Sequence, residues 1–174
     1  MGIQFETDYN METLTAMAKG LRKTVRKKRS RRVHIFAAVV LILGLLTILA
    51  TTAGSEPLGA SGVVTLLAML VVILVSLFED KLNAWFARKR LLPGTEHAVA
   101  TFEEDGYVSA TGVTESRFSY AQIVAVAETA RYFVFALSSH HTQAYDKRTI
   151  RGGSVEDFRA FIAEKTGKPI ANIK

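Results

Sequence analysis

The sequence predicts an α+β membrane protein: a transmembrane helical hairpin, then a small antiparallel β-sheet domain finished by a C-terminal helix. Three observations carry this expectation. Residues 35–55 and 57–78 contain no charged side chain, Lys and Arg crowd their outer flanks, and from residue 97 the apolar pattern changes from long runs to alternation. The chain divides on this basis into residues 1–33 (a strand and a basic amphipathic helix), 34–92 (a two-span hairpin with a helical extension) and 93–174 (the β-domain).

Each apolar run exceeds the roughly 20 residues that cross a bilayer core of about 30 Å. With Leu, Ile, Val and Phe predominating, insertion of each is favourable by roughly 3–7 kcal/mol. A cleaved signal peptide is disfavoured for the first run, because some 34 residues precede it and carry a pattern of their own. Splitting the net charge of +6 is informative. Residues 1–34 carry +6, residues 79–92 carry +2, Glu56 alone charges the loop, and residues 93–174 carry −1. The basic excess therefore sits in two collars around the apolar runs. By the positive-inside rule this places both termini in the cytoplasm and residues 54–62 outside. Topology accounts for the basic run, so no nucleic-acid partner is expected. With no cysteine in the chain, disulfides, Cys-ligated zinc and thiol nucleophiles are excluded.

Ahead of the first run, residues 2–9 alternate Ile3, Phe5 and Thr7 against Gln4, Glu6 and Asp8, a short half-buried strand. So short a strand is unstable alone in water. The expected partner is an edge of the sheet built from residues 97–150, which would make the domain discontinuous. Asn10 is suited to cap a helix. Met11, Leu14, Met17, Ala18, Leu21 and Val25 form its apolar stripe, and the helix is expected to run straight into the first span. Its basic residues Arg22, Lys23, Arg26, Lys27 and Lys28 are candidates for contact with anionic lipids of the inner leaflet. The alternative is a solvated connector that serves only as topology signal. Ala37, Gly44 and Thr51 in the first run, and Ser61, Thr65, Ala68 and Ser76 in the second, form candidate facing stripes of small residues. No ionisable group lies inside either run, which argues against a stand-alone ion-coupled transporter.

The second helix is expected to continue through residues 79–90. There Trp85, Arg88, Lys89 and Arg90 are further membrane-surface candidates, with headgroup anchoring and packing on the β-domain both open to Trp85. Leu92-Pro93-Gly94 ends it. Strands are expected at 97–104, 107–113, 117–120, 123–130, 132–138 and 143–150, with Asp105-Gly106 turning the first hairpin. Ser154 with Asp157 reads as a capping box for a last helix whose apolar face is Val155, Phe158, Phe161 and Ile162, stopped by Gly167 and Pro169.

The stretch from Phe102 to Ile162 resembles the YcxB-like family of bacterial membrane proteins, most densely at Phe102–Gly106, Ile123–Thr129 and Asp146-Lys147-Arg148. Tyr120 and Asp146 depart from the Trp and Pro expected there. The resemblance implies two membrane helices followed by a pleckstrin-homology-like (PH-like) cytoplasmic domain, and it implies no activity. In such a fold Lys147, Arg148 and Arg151 form a basic edge for a partner or for lipid phosphates, against the simpler reading of a surface charge cluster.

No catalytic, cofactor or metal residue is expected. His140 and His141 are adjacent, so on extended chain they point to opposite faces, and an exposed turn is the better reading. Glu103-Glu104-Asp105 lacks the spaced oxygen ligands of a calcium loop. Phosphate-binding loops, dinucleotide glycine fingerprints and nucleophile elbows are absent from the sequence. The expectation is a non-enzymatic membrane-tethered binding or scaffolding module, with the lipid bilayer and another membrane protein as candidate partners. An accessory subunit of a transporter or envelope-stress system, and a membrane-bound enzyme with an inconspicuous site, are the alternatives.

Overall fold

The structure, a computed structural model, describes residues 2–53 and 59–173. The loop read around Glu56 lies outside the described residues. The chain groups into two compact units, Lys28–Leu82 and the discontinuous Met1–Lys27 with Asn83–Lys174.

The first unit is built on two helices long and apolar enough to cross a membrane, α2 (Lys27–Ala53) and α3 (Ala60–Leu77). Gly44 permits their close approach, since a Cβ there would sit 2.8 Å from Met69 Sδ and 3.5 Å from Thr65 Cγ2. Of the small residues expected to face one another, these two do. His34 Nε2 lies 3.8 Å from Glu79 Oε2 at the charged end of the pair. Phe78 interrupts the expected continuation, so α4 (Glu79–Lys89) is a separate helix across a bend.

In the second unit, β1 (Ile3–Asp8) takes the edge position its alternation called for. It pairs antiparallel with β2 (His97–Phe102), which pairs with β3 (Tyr107–Thr111), which pairs with β4 (Glu115–Phe118). A second sheet runs β7 (Thr142–Asp146), β6 (Tyr132–Ala136), β5 (Ala125–Glu128), β8 (Ile170–Asn172). The domain thus has two sheets where one antiparallel sheet was expected. β8 adds a parallel pairing with β5 that its three residues, lying beyond a helix-stopping Gly and Pro, did not announce. The strand expected over 143–150 ends at Asp146, whose carboxylate accepts from Arg148 N–H and starts a 3-10 turn.

β1 also holds the two sheets together at one corner. Thr7 Oγ1 accepts from Asp146 N–H at 3.1 Å, Thr149 Oγ1 donates to Glu6 C=O at 2.7 Å, and Gln4 and Arg151 exchange backbone hydrogen bonds at 2.9 Å. Phe5 is fully buried in the space this closes, in edge-on or tilted contact with Phe102, Phe133, Tyr145 and Phe158. Phe158 and Ile162 come from α5 (Val155–Thr166), which begins at the expected Ser154–Asp157 capping box and plugs the aromatic end of the space between the two sheets.

Capped by Asn10, α1 (Met11–Lys23) covers the outer face of the second sheet. Leu14 and Leu21 are buried, and Ala16 and Met17 pack on Ala127, Tyr132, Val134, Ala144 and Ile173. Gly20 lets the helix approach, because a Cβ there would lie 2.8 Å from Val134 Cγ1. All five β6 residues are consequently buried: Phe133 and Phe135 inside, and Tyr132, Val134 and Ala136 on the other face. The expected continuous helix from Asn10 into the first apolar run breaks after Lys23, where Arg26 N–H bonds to Leu21 C=O. Like charges at 23, 26, 27, 28 and 29 and the β-branched pair Thr24-Val25 weaken helical geometry there.

Candidate functional site

The layers of the first sheet show where a site can form. Antiparallel register stacks its inward residues in rows: Ile3, Phe102, Tyr107 and Phe118; then Phe5, Ala100, Ser109 and Ser116; then Thr7, Ala98 and Thr111. The interior thus grades from aromatic, where α5 plugs it, to small and hydroxylated at the far end. A cavity of about 280 Å³ opens at that end. Ser109, Thr111, Thr114, Ser116 and Phe118 line one side, His141, Thr142 and Gln143 another, with Tyr9, Leu14, Met17, Leu91 and Thr95 completing it.

Gln143 is buried and holds the cavity floor. Its Oε1 accepts from Tyr107 Oη at 2.8 Å and from Tyr145 Oη at 2.7 Å. Burial pushes both phenols well above their ordinary range, so they remain neutral donors. Burial also pushes the Tyr9 phenol up to about 12. Among the described residues, no Asp, Glu, Lys or Arg lines this cavity.

Two buried carboxylates elsewhere in the domain gather charged partners. Asp146, buried, accepts from Arg131 Nε and Nη2 at 2.9 and 2.8 Å and from Arg148 Nη2 at 3.0 Å, and Arg131 reaches on to Glu12 of α1. Glu128 accepts from Arg159 Nε at 2.8 Å and Lys147 Nζ at 2.9 Å. Arg159 first and Lys147 next hold its carboxyl down at about 2, against the opposing cost of burial. These networks tie β5, β7, α1 and α5 to one another.

Of the basic edge anticipated at Lys147, Arg148 and Arg151, each residue has a carboxylate of its own: Glu128, Asp146 and, at 3.2 Å, Glu6. The Lys147 side chain is only 14% exposed, while those of Arg148 and Arg151 are 64% and 66% exposed. Arg22 and Lys23 occupy the last turn of α1, and Arg26 Nε donates to Ser139 C=O at 2.6 Å. Lys27 and Lys28 open α2. Trp85 and Phe86 are exposed and meet edge to face, with Lys89 Nζ 3.6 Å from the Trp85 ring centre; Arg88 shares the last turn of α4 and Arg90 follows it. His140 and His141 are exposed, and the described residues hold no cluster of three metal-ligating side chains. Glu104 pairs with Lys165, and Glu103 lies 3.7 Å from Arg117.

Sequence reading missed the cavity residues, because Ser109, Ser116 and Gln143 come from three separate strands and Tyr9 from the link between β1 and α1. The available signal was polar residues at inward positions: in β3 the face of Tyr107 continues as Ser109 and Thr111, where apolar side chains belong.

No curated protein and no solved structure matches the chain. Residues 102–162, which run from the end of β2 into α5 and supply one wall of the cavity together with its Gln143 floor, match the family of YcxB-like proteins.

Proposed function

We propose that the chain is a membrane-tethered, non-enzymatic binding or scaffolding module. On this reading α2 and α3 cross a bacterial inner membrane as a hairpin, both termini are cytoplasmic, and a PH-like β-domain is held at the inner leaflet. One observation carries it. Leu, Ile, Val and Phe side chains stand exposed along the whole length of both helices, among them Phe36, Leu43, Leu46, Val64, Leu67 and Val71. An apolar surface of this extent is uncommon in water and is matched to hydrocarbon. The basic collars set the orientation, and Arg22, Lys23, Arg26, Lys27, Lys28, Arg88, Lys89 and Arg90 are placed in sequence to meet anionic headgroups. The apolar stripe of α1 is spent on the β-domain, so the lipid contact proposed for this segment is electrostatic. Tethering raises the local concentration of the domain toward any membrane-bound partner. Binding is preferred to catalysis because Asp146 and Glu128 are neutralised by Arg and Lys, while the cavity lining holds hydroxyls, an amide and the lone imidazole of His141 with no carboxylate beside it. Alkaline carbonate extraction of membranes tests the anchor. The chain is expected to remain in the pellet, and its release into the supernatant would remove the basis of this function.

A further inference from the structure

The cavity at the hydroxylated end of the first sheet carries polar atoms that the fold leaves unused. Among the described residues, Tyr9 Oη, Ser109 Oγ, Ser116 Oγ, Thr142 Oγ1 and Gln143 Nε2 have no hydrogen-bond partner, although all five residues line the same space. Gln143 is the most telling. It is 6% exposed, its carbonyl oxygen already accepts from two tyrosines, and its amide N–H₂ is left toward the cavity. Among the described residues no buried side-chain N or O atom lacks a partner, so this N–H₂ is reached by the solvent of the cavity and its two donors are open to a ligand that displaces that solvent.

The lining specifies the chemistry of that ligand. The wall carries no carboxylate, ammonium or guanidinium and its one basic group is the imidazole of exposed His141, so a cation would enter with its charge uncompensated and an anion would meet that imidazole alone. Tyr9 supplies a neutral phenol and no counter-charge. Hydroxyls both donate and accept, so Ser109, Ser116 and Thr142 match the equally amphoteric hydroxyls of a polyol. Leu14, Met17, Leu91 and Phe118 offer an apolar wall for the C–H face of a ring. The volume of about 280 Å³ lies just under the roughly 300–1,000 Å³ of drug-sized pockets, which limits the occupant to one small ring.

We propose that this cavity binds an uncharged cyclic polyol the size of a single hexose. The proposal rests on the reading of the β-domain as a binding module.

Saturation-transfer NMR on the full chain in phosphatidylcholine nanodiscs tests it, with empty nanodiscs as reference. The probes are D-glucose, D-galactose, D-mannose and myo-inositol, with D-gluconate as the charged counterpart. At least one neutral probe should receive saturation, and D-gluconate should bind at least about tenfold more weakly. Ser109→Ala and Ser116→Ala should each weaken binding by about three- to tenfold, the worth of one hydrogen bond, with the melting temperature of the domain unchanged. Ser116→Phe, which fills the space, should abolish binding. Silence from all four neutral probes overturns the proposal, and so does binding that survives Ser116→Phe or treats D-gluconate as an equal. Because carbonate extraction reads the anchor independently, a chain retained in membranes yet silent to the probes loses the polyol site and keeps the tether.

Discussion

Glu128 shows how a single residue in this domain sets its response to acid. The carboxylate sits on β5 at the meeting point of Arg159 from α5 and Lys147 from the turn after β7, and its side chain is 10% exposed. Its folded pKa is depressed from 4.5 to about 2. A depressed carboxylate contributes stability that is fully present above its unfolded pKa and is lost as the pH falls through the folded value. That contribution is on the order of 3 kcal/mol and should disappear between about pH 5 and pH 2. Glu128→Gln should therefore lower the stability of the intact protein at pH 7 and flatten its loss between pH 5 and pH 3, measured by thermal melting across that range. A variant as acid-sensitive as the parent would place the titration elsewhere.

At the scale of elements, β1 binds distant parts of the sequence into one domain. It pairs with β2, bridges to Thr149 and Arg151, and inserts Phe5 among aromatic rings from β2, β6, β7 and α5. Phe5→Ala in the full chain should cost about 3–5 kcal/mol of domain stability, the usual cost of emptying a buried Phe site. Denaturant unfolding that leaves the midpoint unchanged would make β1 an accessory strand.

Much of this was legible in the sequence. Ile3-Phe5-Thr7 alternation with no partner of its own, the Asn10 cap and the Ser154–Asp157 box are local signals, and local signals survive folding. The second sheet and β8 were not legible, because the parallel pairing of Ile170 with Val126 spans a helix and depends on packing. Nor was the destination of the α1 stripe. An amphipathic helix carries the same stripe toward a membrane or a sheet, and Gly20 fits α1 to Val134 through a contact that no spacing rule contains. The candidate site fared worst. Its polar groups lie on α1-proximal chain, β3, β4 and β7, and only the register brings Ser109 beside Ser116.

Taken as a whole, the molecule separates two chemistries along its sequence. Residues 35–55 and 57–78 hold no charge, whereas the flanking segments hold nearly all the basic excess. The proposed tether follows from that separation, and with it a single orientation: β1, α1 and the β-domain on the cytoplasmic side, where β1 and β2 can pair. If the two termini lay on opposite sides, that pairing could not form. The chain has no native cysteine, so Ser55→Cys and Ser154→Cys can each be labelled with a membrane-impermeant thiol reagent in cells whose outer membrane has been made permeable. Labelling of Ser55→Cys alone is the predicted result, with Ser154→Cys reacting only after the inner membrane is opened. Labelling of Ser154→Cys while that membrane is intact would contradict the account.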